Sequence, residues 1–286
     1  MAQLLARAPG ERKCSQERHS CYFGRVPKSG QLWDPAFLKR SVLLRELQQL
    51  GRPLLAGAAW PTLEAYGALA ESERKARASE LHAVRFAPPE PRLRRSRARA
   101  PLHPRQLYDG RIALEREVPC VSASYHDLLN VLAWAAFPRA KRALHARQFR
   151  ALTAWLPPGA VQLPNRRTRE QDALALFDEG GSVLVLTPEL AARTRNAPEG
   201  TLRLSESTAR IVLFGHALME HVSFESSRVR SAALVLCAEP PLPEGRALLE
   251  LVDRAIARRL ADTRELATPD GFDRALCIDP PDTAWL

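Results

Sequence analysis

The stretch from Ser124 to Gln148 constrains this chain most, because it packs two histidines, an aspartate, an asparagine and a lysine into what reads as two consecutive helices. Ser124 precedes an apolar run and is followed three residues later by Asp127, so the serine hydroxyl and the acid are expected to meet free amides of the first turn. Such a box usually ends on glutamate or glutamine, so the match is partial. His126 and Asn130 stand four apart on one helix face with Trp134 nearby, while Leu128, Leu129, Leu132 and Ala136 pack elsewhere. Phe137-Pro138 breaks this helix, and proline suits the first turn of the next one. There Lys141, His145 and Gln148 again recur at helical spacing, so two polar faces are expected to converge across the bend.

These residues resemble the signature of the bacterial domain-of-unknown-function family 3025, which runs Trp-His-Asp, then Asn, Trp, Phe-Pro and Lys. The resemblance carries onto His126, Asp127, Asn130, Trp134, Phe137, Pro138 and Lys141. Tyr125 replaces the expected tryptophan, and His145 stands where asparagine is expected. If the site depends on those two positions, this member differs in ligand preference. Two further segments extend the likeness: Arg167-Thr-Arg169-Glu-Gln-Asp172, continuing to Phe177-Asp178-Glu179-Gly180-Gly181, and Phe214-Gly-His216-Ala-Leu-Met-Glu220. The resemblance names a family and implies no reaction.

Read locally, Ala173 to Phe177 and Ser182 to Leu186 flank a turn signal, which predicts a β-hairpin with Asp178 and Glu179 as turn residues. Thr168 with Gln171 equally suits the cap of a short helix. His216 and Glu220 fall four apart on a predicted helix, where they can bind one metal or form an oriented acid–base pair. A strand over Ala232 to Cys237 follows. His126, Asn130, Lys141, Arg167, Arg169, Asp172, His216 and Glu220 sit in otherwise apolar segments, where burial without partners is costly, so they are expected to find each other. His126 and His216 in particular are expected to be near neighbours.

Elsewhere the patterning is plainer. Pro35 to Leu50 predicts a helix ended by Gly51 and Pro53, and Thr62 to Ala78 a second one. Residues 79 to 120 read as irregular, with short strands over Leu81 to Phe86 and Arg111 to Leu114. Arg246 to Arg264 is an amphipathic helix, and the tail from Pro269 to Leu286 is turn-rich. With 286 residues, 45% hydrophobic and 26% charged, the chain can bury one substantial core. The expectation is a helix-dominated α+β fold, one compact domain over 1–286 with a small sheet or β-hairpin. Within it, 30–78 forms an N-terminal helical layer, 87–105 a Pro/Arg-rich exposed loop, and 119–264 the signature-bearing core.

A net charge of +10 invites a nucleic-acid partner, but the densest run, Arg92 to Arg99, lies between prolines with few aromatics near it. A solvated loop is favoured over a phosphate-binding patch. Met1 to Ser20 offers only Leu4-Leu5-Ala6 as an apolar patch, and Val131 to Phe137 is too short to span a bilayer, so no membrane partner and a cytoplasmic location are expected. Five irregularly spaced cysteines indicate neither a disulfide framework nor a structural zinc site. No His-Glu-x-x-His, Gly-x-Ser-x-Gly, phosphate-loop or dinucleotide motif is present.

Two functions stay open. In the first, a hydrolase-like enzyme uses His126, Asp127, Asp172, His216 and Glu220 for acid–base work. His126, His216 and Glu220 are its candidate ligands for a divalent metal, and Asn130, Trp134, Lys141, His145, Arg167 and Arg169 hold a small anionic substrate. In the second, a non-catalytic protein binds nucleic acid, an acidic partner or a small anion. A polar network that only fixes the fold weighs equally against a catalytic or ligand-binding pocket.

Overall fold

The computed structural model describes residues 31–77, 81–89, 101–194, 204–279 and 283–285. Its centre is the strand β3, Gly181–Leu186, whose six residues are all buried. A run of Ser-Val-Leu-Val-Leu without polar alternation is what a strand covered on both faces requires. It pairs in parallel with Val229–Cys237 and antiparallel with Ala209–Leu213, and Arg274–Asp279 and Thr283–Trp285 extend the sheet antiparallel beyond Val229–Cys237. A small parallel pair, β1 (Arg85–Ala87) with β2 (Glu117–Pro119), stands apart. With helices dominating over these two sheets, the fold is α+β. Among the described residues no helix is long and apolar enough to cross a membrane.

In chain order the helices are α1 (Arg45–Leu55), α2 (Leu63–Ala76), α3 (Tyr108–Gly110), α4 (Tyr125–Ala136), α5 (Pro138–Trp155), α6 (Arg169–Gly180), α7 (Pro188–Thr194), α8 (His216–Phe224) and α9 (Gly245–Ala261). Helix α4 is buried nearly all round, because apolar residues occupy every face and only Asn130 interrupts its interior. It packs against α1, α2 and α8, so the N-terminal helices cover it on one side and the signature residues emerge on another. Ser124 accepts the amide of Asp127, and Pro138 opens α5 directly after the Phe137 break. The first free amides of α5, those of Arg139 and Ala140, donate to the fully buried Asp253 of α9 at 2.9 and 2.8 Å. That cap comes from 114 residues away, and no local pattern announces it.

Several expectations are corrected. Residues 169–180 form α6 rather than one arm of a hairpin, because Thr168 and Gln171 close a reciprocal capping box and the helix runs to Gly180. The first helix does not begin at Pro35: Ser41 accepts the amide of Leu43 and splits the segment into 3-10 turns before α1, which then carries Pro53 in its last turn. Arg111–Glu115 is a π-helical turn, not a strand, closed by Arg116 in the left-handed region at φ 58. The tail is not merely turn-rich: Arg274–Asp279, with alternating burial, and Thr283–Trp285 are two strands of the main sheet. The arginine run 92–99 lies outside the described residues.

Candidate metal and acid–base site

Three chain ends meet at the site. Helix α6 ends at Gly180 where β3 begins, β4 (Ala209–Leu213) leads through Phe214 and Gly215 into α8, and α4 crosses α8. The amides of Phe214 and Gly215 both donate to the carbonyl of Gly181 at 3.0 and 2.9 Å. A side chain at position 215 would collide with the carbonyl of Glu179, so only glycine lets α8 start against the end of α6. Ser231, buried beneath, donates to Gly180 O and shares a hydroxyl hydrogen bond with Ser182 Oγ, both at 2.8 Å, and fixes the same corner.

This packing brings His216 onto the Asp178 carbonyl, to which its Nδ1 donates at 3.0 Å. From α4, His126 presents Nε2 at 3.1 Å from His216 Nε2, while its Nδ1 lies 3.0 Å from the Glu220 carboxylate. Glu179 completes the cluster, with Oε2 at 3.4 Å from His216 Nε2. His126, His216 and Glu179 offer three ligand atoms lying within 4.8 Å of one another. Glu220, the acid read beside His216 on its helix, faces the other ring nitrogen of His126. Its place at the Nε2 atoms is taken by Glu179, which the sequence reading assigned to a turn.

The environment separates these groups. Burial, with the charges of Lys141 and His126 acting in the same sense, pushes His216 down to about 3. Burial also opposes a charge on His126, but the Glu220 hydrogen bond and the carboxylates of Glu179 and Glu220 outweigh it and raise its pKa. Burial and the neighbouring Asp178 push Glu179 up to about 7, against the lowering influence of His126, Lys141 and Arg167. The side chains of His126 and Glu179 keep 33% and 35% of their surface in solvent, so the cluster is open on their side.

Behind Asp178 lies a second polar group. Lys141, fully buried, donates to Asp178 Oδ1 at 2.5 Å and sits over the rings of Trp134 and Phe214. Burial disfavours the Asp178 carboxylate, yet Lys141, His145 and His216 more than offset this and hold it below the usual range. His145 Nδ1 meets Asp109 at 2.9 Å, its ring stacks on Trp134 at 5.4 Å, and Asn130 donates to the Tyr108 hydroxyl at 3.3 Å. The Asp127 carboxylate accepts the amide of Val121 at 2.8 Å, tying down the approach to α4.

Not every polar residue of the signature segments joins the cluster. Arg167, Arg169 and Asp172 are exposed, and Arg169 pairs with the exposed Asp270. Their segment is the N-terminal end of an amphipathic helix, where burial was never forced. The residues that sequence reasoning missed are Asp178, Glu179, Asp109 and Tyr108; the Thr168/Gln171 box was the signal that would have put the first two on a helix. A surface groove of about 510 Å³ along Pro35, Lys39, Gln49 and Arg52 includes none of these side chains.

No curated protein and no solved structure matches the chain. A family model described as protein of unknown function (DUF3025) matches residues 96–274. That span holds His126, Glu179, His216 and Glu220 together with the polar group behind them, and the chain belongs to the DUF3025 family.

Proposed function

We propose that the protein is a hydrolase-like enzyme that depends on a divalent metal and acts on a small anionic substrate. One observation carries this reading: the Nε2 atoms of His126 and His216 approach to 3.1 Å while each ring's Nδ1 is engaged by an acceptor. Two nitrogens bound to one tetrahedral zinc at about 2.0–2.1 Å stand roughly 3.3 Å apart. Glu179 supplies an oxygen ligand, and two imidazoles with one carboxylate suit zinc or a neighbouring divalent ion while leaving a fourth position open. Such an ion polarises substrate and makes water a nucleophile near neutral pH. Glu220 and the Asp178 carbonyl orient the two rings, the arrangement that outer partners of metal-bound histidines adopt. Arg167, an exposed cation whose charge reaches Glu179, is placed to attract an anionic group. The reading includes a reducing, cytoplasmic setting, which the free thiols of Cys120, Cys237 and Cys277 support.

The test is elemental mass spectrometry on tag-free protein after reconstitution with divalent ions, comparing wild type with folded His126→Ala, Glu179→Ala and His216→Ala variants. Stoichiometric metal in wild type, lost in all three, supports the reading. Wild type without metal overturns it and leaves the net charge of +10 as support for an anion-binding protein without catalysis.

A further inference from the structure

Asn130, Trp134 and His145 hold polar atoms that the proposed metal centre does not use. All three side chains are more than nine-tenths buried, at 6%, 1% and 0% exposure. Yet Asn130 Oδ1, Trp134 Nε1 and His145 Nε2 have no hydrogen-bond partner among the described residues. Buried polar atoms in folded proteins are almost always paired, and leaving one unpaired costs about 1–3 kcal/mol. Three such atoms stand in one contiguous group, where a single polar ligand could pair them. The group is contiguous because Trp134 and His145 stack, Tyr108 meets the His145 ring edge-on at 5.7 Å, and Asn130 bonds the Tyr108 hydroxyl.

The character of the free valences selects the ligand. Asn130 donates its Nδ2 hydrogen to Tyr108, which leaves Oδ1 as an acceptor. His145 Nδ1 lies 2.9 Å from Asp109, and its Nε2 stands 3.9 Å from Asp178 Oδ2, beyond hydrogen-bond reach, so this nitrogen is free for a ligand. Trp134 Nε1–H can only donate. An anion is disfavoured here. The bare Asn130 acceptor and the carboxylates of Asp109 and Asp178 lie in this group, and the neighbouring Lys141 is already paired with Asp178. A group presenting a carbonyl beside an N–H satisfies both sexes of partner at once.

We propose that Asn130, Trp134 and His145 form a binding site for a neutral, planar amide-type group, in which Trp134 donates to the carbonyl and Asn130 accepts from the N–H. Tyr108 forms its outer wall: the hydroxyl bonds inward to Asn130 while 42% of the residue remains in solvent. The inference does not depend on the metal reading, since none of its three residues is a proposed ligand.

The indole N–H resonance of Trp134, identified by its disappearance in Trp134→Phe, reports directly on the donor. Titration of wild type with acetamide and with uracil is expected to shift that resonance saturably, whereas acetate is expected to leave it in place. Trp134→Phe is expected to weaken acetamide binding by about tenfold. Should Trp134→Phe fail to fold, Tyr108→Ala removes only a partly exposed wall and is expected to bind acetamide at least as tightly as wild type. A response to both probes assigns the amide edge, and a response to uracil alone assigns a nucleobase edge; either supports the site. No shift with either probe, or an equal shift with acetate, overturns it. Repeating the titration in His126→Ala keeps the two readings separate, because an unchanged amide response there is expected even if no metal ever binds.

Discussion

His126 Nε2 and His216 Nε2 face each other at 3.1 Å, and because both Nδ1 atoms are engaged, two lone pairs would point at the same space unless a proton or a cation lies between them. The raised pKa of His126 and the depressed one of His216, near 3, assign a shared proton to His126, with His216 accepting. Metal binding has to displace that proton and the one on Glu179, which titrates at about 7. Protons compete below each pKa, so affinity is expected to rise as pH rises through about 7 and to level off only once His126 has also lost its proton. Competition with a chromophoric chelator between about pH 6 and about pH 8 measures this, and affinity independent of pH across that window would falsify the displacement.

Glu220 touches His126 on the ring nitrogen away from His216, so in the proposed metal site it would orient the ring. Glu220→Gln is expected to weaken metal affinity by about 10- to 100-fold with little loss of stability, whereas Glu179→Gln removes a ligand and is expected to weaken it further. Measured affinities of the two variants in the opposite order would exchange these roles.

Gly215 holds no chemistry, yet Gly215→Ala is expected to lower metal occupancy. The added methyl meets the Glu179 carbonyl and pushes α8 away from the end of α6, moving His216 off Asp178. A loss of about 1–3 kcal/mol in urea unfolding should accompany it. Full occupancy with wild-type stability would show that the corner can relax.

Lys141→Met leaves Asp178 buried and unpaired and is expected to cost about 3–5 kcal/mol, while Lys141→Met combined with Asp178→Asn recovers most of that loss. The pair also gives stability a pH dependence. Folding depresses the Asp178 pKa below its ordinary 3.8, so the pair contributes fully above that value and its contribution is lost as pH falls below it. Urea midpoints of wild type and the double variant, taken from about pH 6 to about pH 3, should begin to draw together as pH falls below 3.8 without meeting at about pH 3; parallel curves would place the acid sensitivity elsewhere.

Asp253 ties α9 to the start of α5 through two backbone amides, and Arg77 and Arg139 lie beside it. Asp253→Ala is expected to destabilise by about 3–5 kcal/mol, because it strips a cap and leaves the fully buried Arg77 side chain without that charge. A loss under about 1 kcal/mol on chemical denaturation would mean that Arg77 is satisfied by Glu73 and the Ala136 carbonyl alone.

Residues in local register were legible. Ser124, the Phe137-Pro138 break, the spacing of His126 with Asn130 and of His216 with Glu220, and the apolar stripe of α9 all follow from helical geometry and capping chemistry. The segment around Asp178 was misread because its turn-like Asp-Glu-Gly-Gly end outweighed the capping box at its beginning. The box was the stronger physical signal, since it satisfies two amides at a defined place. Arg167, Arg169 and Asp172 were expected inside on the cost of burying charge, but that cost argues for pairing only once burial is known, and the helix leaves them in solvent.

The amino-acid order alone therefore determined an α+β chain dominated by helices, a buried signature helix with a polar face, and a second histidine on its own helix. It could not decide which carboxylate meets which histidine. Helical spacing places Glu220 beside His216, but spacing says nothing of the partner helix, and packing turned Glu220 to His126 instead. The meeting of His126, His216 and Glu179, the cap that Asp253 lends to α5 and the burial of Asp178 against Lys141 were settled by tertiary structure. Each joins residues dozens of positions apart, and contacts of that range arise from how whole helices and strands bury their apolar faces, not from any local preference of the chain.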